Sequence, residues 1–261
     1  MEIKILGTGG FENEGLPFNA FLVDGHLLVE TPPDILQSLR REKKRPGEID
    51  TIVITHFHGD HCFGLPFLLF NRYVGRGDRN SPALRLFAPT GLREWMREIL
   101  GLAISPDHPY VEWSLSALDI HELREDEAVD VGGGVWMRCF RSEHSPQTYS
   151  LSFGKDADTE PEFIATSDTS WGPRLKRLLS MGGKLILCDS GGKGFGGVHL
   201  SPEEIESLAL PLLKPGTRLV ATHFSADPPA GSALKFARSG DVYTIEACPV
   251  LGSSLGAREY P

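Results

Sequence analysis

Three histidines and one aspartate lie within six residues, in the segment Thr55-His56-Phe57-His58-Gly59-Asp60-His61. Imidazole and carboxylate groups are the ligand set that suits zinc and, with less preference, manganese or iron. The apolar run Ile49–Ile54 comes directly before them and predicts a buried strand, whose end would fix the first ligand. A surface loop with histidines by chance is the plainer explanation, but three of the nine histidines gather here. The segment therefore predicts a metal site.

The pattern His56-x-His58-x-Asp60-His61 after a strand resembles the signature of the metallo-β-lactamase superfamily. The resemblance extends along nearly the whole chain and begins with Gly7-Thr8-Gly9-Gly10. It implies an α/β (α+β) fold, the four-layer αββα sandwich, as a single domain over residues 1–261. It also implies two metal sites, the first held by His56, His58 and His144, the second by Asp60, His61 and His223, with Asp168 bridging both ions.

Each later ligand has a plainer explanation when it is taken alone. His144 or His223 would then be a surface histidine or a satisfied core histidine. Asp168 would cap the helix that starts after Trp171. Taken together, in the family's order and each at the end of a predicted strand, they favour the metal sites.

Two divalent ions suit hydrolysis. At a separation of about 3.5–4 Å they lower the pKa of a bridging water and so supply a hydroxide nucleophile. They also take up charge on the oxygen that becomes negative in the transition state. We therefore predict a hydrolase with two divalent cations, with zinc favoured and manganese or iron as alternatives. Asp60 would additionally orient the nucleophile.

Three further segments resemble the phosphodiesterase and tRNA 3′-processing (RNase Z-like) branch of the superfamily. They are Ser167-Asp168-Thr169, the strand before Asp189 followed by His199-Leu200-Ser201, and Leu219–Ser225. The resemblance places His199 near the leaving group, where it could act as general acid. A second explanation is structural, because Ser201 and Glu204 form the capping box of a helix that begins just after His199.

The net charge of −9 and the lack of a long basic arm argue against tRNA as substrate. A small or cyclic phosphodiester is the predicted substrate. The alternatives are an ester, lactone or thioester hydrolase with the same metals, and a non-catalytic metal-binding sensor or scaffold. One departure from the branch is Glu30-Thr31-Pro32, which stands where relatives usually have an aspartate and alters the support of the metal loop.

The elements that must position these residues alternate between strands and helices in both halves of the chain, which favours two sheets face to face with helices outside. Arg76–Ser81 and Ser105–Trp113 are interpreted as polar or Pro-containing insertions that could shape a cleft. The predicted strands include Ile3–Leu6, Ala20–Val23, Leu27–Glu30, Ile49–Ile54, Leu84–Phe87, Phe163–Thr166, Lys184–Cys188 and Arg218–Thr222. The predicted helices are Pro32–Arg41, Leu92–Leu100, Pro173–Leu179 and Pro202–Leu210.

The cellular setting is predicted from what the sequence lacks. No signal peptide precedes the first strand, and no run of eighteen apolar residues could span a membrane. The four cysteines are scattered without paired spacing, which is typical of reduced thiols. These features predict a cytoplasmic protein, and the resemblance adds a homodimer as an expectation.

Overall fold

A computed structural model describes residues 1–75, 84–225 and 232–246. Its strands form two seven-stranded sheets, one in the order β14-β1-β2-β3-β4-β5-β6 and one in the order β13-β12-β11-β10-β9-β8-β7. In chain order the strands are β1 (Glu2–Gly7), β2 (Ala20–Val23), β3 (Leu27–Val29), β4 (Thr51–Val53), β5 (Leu84–Ala88), β6 (Leu118–Glu122), β7 (Val129–Gly132), β8 (Val135–Arg141), β9 (Tyr149–Gly154), β10 (Phe163–Ala165), β11 (Leu185–Asp189), β12 (Arg218–Thr222), β13 (Lys235–Phe236) and β14 (Val242–Thr244).

Helices cover the outer faces of both sheets. They are α1 (Ile35–Arg41), α2 (Gly59–Cys62), α3 (Leu65–Val74), α4 (Leu92–Ala103), α5 (Pro109–Ala117), α6 (Pro173–Met181) and α7 (Pro202–Glu204). A wider π-helical turn over Ile205–Ala209 continues α7, so the predicted helix Pro202–Leu210 is regular only at its start.

Three apolar clusters define four layers. The first cluster lies between the sheets and includes Val53 of β4 and Phe163 of β10. The second packs the other face of the first sheet, including Ile52, against α1, α3, α4 and α5. The third packs Ile186 of β11 against α6. Adjacent residues of β4 thus face two different layers, which is why the strand is apolar throughout. The predicted α/β class with an αββα sandwich is confirmed, whereas the prediction of a single domain over residues 1–261 stays a prediction.

Four neighbouring strands at one side of each sheet run parallel. In the first sheet β3, β4, β5 and β6 are parallel neighbours, and in the second sheet β10, β11, β12 and β13 are. Parallel strands end at the same edge of a sheet, so the loops that follow them meet there. The metal-loop segment follows β4, Asp168 follows β10 and His223 follows β12.

Some sequence expectations need correction. Of the two stretches interpreted as insertions, Arg76–Ser81 lies outside the described residues. Ser105–Trp113 contains the first part of α5, where Pro109 occupies the first turn and the His108 side chain accepts a hydrogen bond from the backbone N–H of Tyr110. Its buried face includes Ser114, which weakens the apolar periodicity. The first helix begins at Ile35 rather than at the prolines before it. Within the described part of the chain, no helix is long and apolar enough to cross a membrane.

Candidate metal centre

The segment between His56 and His61 turns from a strand into a short helix. His56 follows β4 and is 0% exposed, and His58 is the N-cap residue of α2, which carries Asp60 and His61. A Cβ atom on Gly59 would lie 2.8 Å from the ring of Phe63, so a larger residue at this position would displace that ring. One turn of helix therefore directs the last two predicted ligands toward the edge of the sheets.

Asp168 is the residue on which the predicted ligands converge. Its Oδ1 atom lies 3.2 Å from Nε2 of His61 and 3.3 Å from Nε2 of His223. Its Oδ2 atom lies 3.5 Å from Nε2 of His56 and 3.8 Å from Nε2 of His144. The two oxygens thus face two different sets of imidazoles, as a bridging carboxylate requires.

The four imidazoles around Asp168 share one orientation. Each directs Nε2 toward Asp168 and places Nδ1 near a supporting oxygen, which leaves Nε2 for an ion. The Nδ1 contacts are His56 with Thr55 Oγ1 at 3.1 Å, His61 with Glu30 Oε1 at 3.3 Å, His144 with the carbonyl oxygen of Val198 at 3.2 Å, and His223 with Asp189 Oδ1 at 3.2 Å.

The remaining two predicted ligands complete the two sets. Nδ1 of His58 lies 3.4 Å from Nε2 of His144. Oδ2 of Asp60 lies 3.4 Å from Nε2 of His61 and of His223. Ligand atoms lie within 4.8 Å of one another in the set His56, His58, His144 and Asp168, and in the set Asp60, His61 and His223. The structure therefore brings all seven predicted residues together, in the two groups that the sequence predicts.

Two observations show that these residues fit divalent cations. Nε2 of His56 and Oδ1 of Asp168 are buried and have no hydrogen-bond partner in the described part of the chain, although they face the centre of the cluster. Buried polar atoms without partners are costly, and a bound ion would satisfy them. The donor set of imidazole nitrogens and carboxylate oxygens is also the one that zinc prefers.

The pKa values of the histidines in the cluster also fit the binding of divalent cations. Burial lowers the pKa of His56 to about 3, so this ring is neutral. At His223 burial opposes the charged form, but the carboxylates of Asp168, Asp189 and Asp60 outweigh it and raise the pKa to about 10. Without an ion, the buried carboxylates therefore hold a proton on His223. A divalent cation would displace such protons, since metal ligands bind deprotonated.

Asp189 was not predicted as a site residue. It is buried at the end of β11, where Oδ2 lies 2.9 Å from Nδ1 of His199 and Oδ1 lies 3.2 Å from Nδ1 of His223. The backbone N–H groups of Thr169 and Gly191 donate hydrogen bonds to its two oxygens. The signal that could have found it is a carboxylate directly ending the apolar run of a buried strand. Asp189 connects a predicted metal ligand with the predicted general acid.

Glu30 supports the centre from beneath. Its Oε1 atom lies 2.5 Å from Oγ1 of Thr55, which in turn contacts Nδ1 of His56 and lies 2.6 Å from Oγ of Ser167. Oε1 also lies 3.3 Å from Nδ1 of His61. This departure from the branch thus supports both ligand sets, directly at His61 and through Thr55 at His56.

Three of the six non-glycine residues with a positive φ among the described residues lie at the centre. Glu30, Ser167 and His223 have φ angles of 68°, 52° and 56°, in the left-handed region that non-glycine residues rarely adopt. Such residues cost about 1–3 kcal/mol each and persist where the surrounding structure holds them. Glu30 contacts the predicted ligand His61. Ser167 directly precedes Asp168, and His223 is itself a predicted ligand.

His199 satisfies both explanations offered for it. Ser201 and Glu204 form the capping box of α7, as predicted. The His199 ring nevertheless turns toward the centre, since its Nδ1 contacts Asp189 and its side chain is 22% exposed. Burial opposes the charged ring, but the hydrogen bond to Asp189 outweighs it and raises the pKa of His199. The alternative that Asp168 caps a helix is wrong, because Gly172 begins α6 and no side chain caps it.

An open cavity of about 1050 Å³ lies over the cluster. Its wall includes the predicted ligands His58, Asp60, His144, Asp168 and His223, together with His199. Arg174 and Lys193 add positive charge to a wall that otherwise carries carboxylates. The cavity is large enough for a small ligand of several hundred Å³.

Comparison with known proteins identifies the family. A family model described as "Anti-Pycsar protein Apyc1" matches residues 1–241. The chain belongs to the Apyc1 family. The anti-Pycsar protein Apyc1 of Paenibacillus sp. (strain J14) is 28% identical over 257 residues, which cover 94% of this chain and 99% of that protein.

Two further proteins are similar to this chain, one in sequence and one in structure. Ribonuclease BN of Enterobacter sp. (strain 638) is 27% identical over 259 residues, covering 94% of this chain and 76% of that protein. The metallo-β-lactamase fold protein YhfI from Bacillus subtilis superposes with a TM-score of 0.71 at 16% identity, covering 93% of this chain and 98% of that chain. The second similarity shows the fold alone.

These findings confirm the predicted superfamily, fold and class of reaction. The chain is a hydrolase of the phosphodiesterase type with a metallo-β-lactamase fold. The fold and the histidine–aspartate cluster indicate divalent metal ions. The role of each residue at the centre stays a prediction.

Proposed function

We propose that this member of the Apyc1 family hydrolyses the phosphodiester bond of a small cyclic nucleotide, with two zinc ions as its resident metals. The observation that carries the proposal is the arrangement around Asp168, whose two oxygens face two separate sets of imidazoles. The family to which the chain belongs acts on cyclic nucleotides, which supports this substrate class. Two ions at one carboxylate suit an in-line displacement at phosphorus.

His56, His58 and His144 would hold one ion, Asp60, His61 and His223 the other, and Asp168 both. When bound, the ions supply a nucleophile by lowering the pKa of water, and they offset the charge that develops on the phosphoryl group. Asp60 would accept a hydrogen bond from the attacking water and so orient it.

His199 would protonate the leaving oxygen. Its Nδ1 atom is held by Asp189, so Nε2 is the atom available to the substrate in the cavity. A ring oxygen of a cyclic nucleotide leaves as an alkoxide, which is a poor leaving group without a proton. The raised pKa of His199 favours the protonated ring that this step requires.

A small substrate fits the charge of the chain better than tRNA does. The net charge is −9, and long RNA binds through many lysine and arginine contacts to phosphates. The cavity instead offers Lys193 and Arg174, of which Arg174 also lies 3.4 Å from Oε2 of Glu143, so its positive charge suits one phosphodiester rather than a long RNA. The similarity to ribonuclease BN keeps tRNA as the second candidate, and the assay below includes it.

The test is turnover by zinc-loaded protein of four substrates: a 3′,5′-cyclic nucleotide, a tRNA precursor, a p-nitrophenyl carboxylic ester and a lactone. We expect a linear nucleotide as the product of the first and little turnover of the others. Turnover of only the ester or lactone would overturn the proposal in favour of the carbonyl hydrolase alternative. Metal-loaded protein without activity on any substrate would favour the sensor or scaffold alternative.

Three further expectations accompany the proposal and have their own measurements. Zinc identity is checked by elemental analysis of protein purified without added metal. A homodimer is checked by sedimentation, and a cytoplasmic location by fractionation of cells.

A further inference from the structure

A large aromatic side chain stands exposed in the wall of the cavity. Phe11 is 76% exposed, and it lines the cavity over the metal centre together with Val198, which is 70% exposed. Among the described residues, these are the two exposed large apolar side chains in that wall. The place of Phe11 in the cavity wall, rather than its exposure alone, makes its ring available to a ligand with a flat apolar part.

The backbone holds the loop that carries Phe11. The side chain of Asn13 donates a hydrogen bond of 2.8 Å to the carbonyl oxygen of Gly10. The backbone N–H of Gly10 donates to the carbonyl oxygen of Phe224 at 3.2 Å, and that of Glu14 donates to the carbonyl oxygen of Ser225 at 3.1 Å. The loop is thus tied to the segment that directly follows His223.

The loop that carries Phe11 packs closely against the predicted ligand His223. A Cβ atom on Gly10 would lie 3.1 Å from Cε1 of His223, so the loop passes directly over this predicted ligand. A Cβ atom on Gly191 would lie 2.8 Å from the carbonyl oxygen of His223, which brings the glycine-rich loop with Lys193 to the same residue. The exposed ring and the cationic side chain therefore stand on neighbouring loops at one side of the centre.

We propose that Phe11 is the stacking platform for the nucleobase and that it determines the preference of the site for nucleotides over other phosphodiesters. This inference rests on the proposed function. With the phosphodiester at the centre, the sugar and base must extend toward the cavity rim, where Phe11 presents its ring. Stacking on an aromatic side chain uses the face that every base has, so it tolerates different bases. The platform selects a nucleotide without selecting one base.

The test compares two substrates that differ only in the base. One is a 3′,5′-cyclic nucleotide, and the other is the 3′,5′-cyclic phosphate of methyl riboside, which has no base. The variants are Phe11→Ala, Phe11→Leu, which keeps an apolar side chain without a ring, and Phe11→Trp, which keeps a ring. Leu102→Ala is the matched control, because Leu102 is 87% exposed on α4 and lies outside the cavity wall.

We expect Phe11→Ala and Phe11→Leu to lower kcat/KM for the cyclic nucleotide by about 5- to 100-fold, mostly through KM. The alanine variant should lose at least about 5-fold more on the cyclic nucleotide than on the base-free cyclic phosphate. Phe11→Trp should retain activity on the cyclic nucleotide because it keeps an aromatic ring. Leu102→Ala should behave as wild type. Zinc content and circular dichroism check that each variant is folded and loaded.

Equal losses on both substrates, or no loss in the alanine variant, would overturn the assignment of Phe11 and leave the proposed function intact. A wild-type protein that cleaves neither cyclic phosphate would instead overturn the proposed function, and with it the inference.

Discussion

Nδ1 of His199 lies 2.9 Å from Oδ2 of Asp189, while the other oxygen of the same carboxylate lies 3.2 Å from Nδ1 of His223. One buried carboxylate thus orients both the proposed proton donor and a proposed metal ligand. Proton donation is needed only by a substrate with a poor leaving group, whereas metal binding is needed by every substrate. Variants assayed on two kinds of substrate can therefore separate the two functions.

His199→Ala should lower kcat for a cyclic nucleotide by about 100-fold or more, since a general acid contributes about 10²–10⁴ in rate. The same variant should lose far less on bis(p-nitrophenyl) phosphate, because p-nitrophenolate leaves without a proton. Steady-state kinetics on both substrates, with zinc content as control, check this expectation. Equal losses on the two substrates would contradict the role of His199 as proton donor.

Asp189→Asn should affect both substrates, because it weakens the support of His223 as well as that of His199. We expect a loss of zinc affinity of about 10- to 100-fold, as is typical when the partner of a ligating histidine is removed. Titration of the apoprotein with zinc in a competing chelator measures the affinity. Unchanged zinc affinity would show that Asp189 supports His199 but not the binding of metal by His223.

Asp168→Asn should remove much of the bound metal, since the shared carboxylate becomes a neutral amide in which an NH2 group replaces one of the two oxygens. Elemental analysis should show less than half the zinc content of the wild type. Asp107→Asn, at an exposed position, is the matched control and should retain full zinc content. A variant of Asp168 with the wild-type content would show that this carboxylate does not bridge the ions.

Removal of metal should destabilise the fold, because four buried carboxylates lose their neutralising charge. These are Glu30, Asp60, Asp168 and Asp189. A ligand present at about 100 times its Kd stabilises by about 2.7 kcal/mol, which corresponds to about 5–10 °C in Tm for a chain of this size. Calorimetry before and after chelation measures the shift. A Tm that does not fall would argue against ions at the centre.

Glu30→Asp should weaken zinc binding although it restores the residue that relatives usually have. The shorter side chain cannot keep its contacts with both Thr55 and His61, and both lie within 3.3 Å of one oxygen of Glu30. We expect a loss of affinity of about 10-fold or more, measured by the same chelator competition. Glu48→Asp, on the exposed 3₁₀ turn before β4, serves as the control.

The resemblance to the metallo-β-lactamase superfamily was sufficient to predict the seven residues that meet at the centre, because they occur in the family's order and at the ends of predicted strands. The structure was needed for Asp189 and for the supporting role of Glu30. A single carboxylate after an apolar run is common in sequences. The role of Asp189 depends on the side chains that the fold brings to it, which are His223 after β12 and His199. Helix α5 escaped prediction because a buried serine interrupts its apolar face.

Asp168 belongs to both ligand sets, which has a consequence for how the protein holds its ions. An ion in one set holds the carboxylate that the other set shares, so the two sites are linked energetically. A substitution that weakens one site is therefore expected to weaken the other as well.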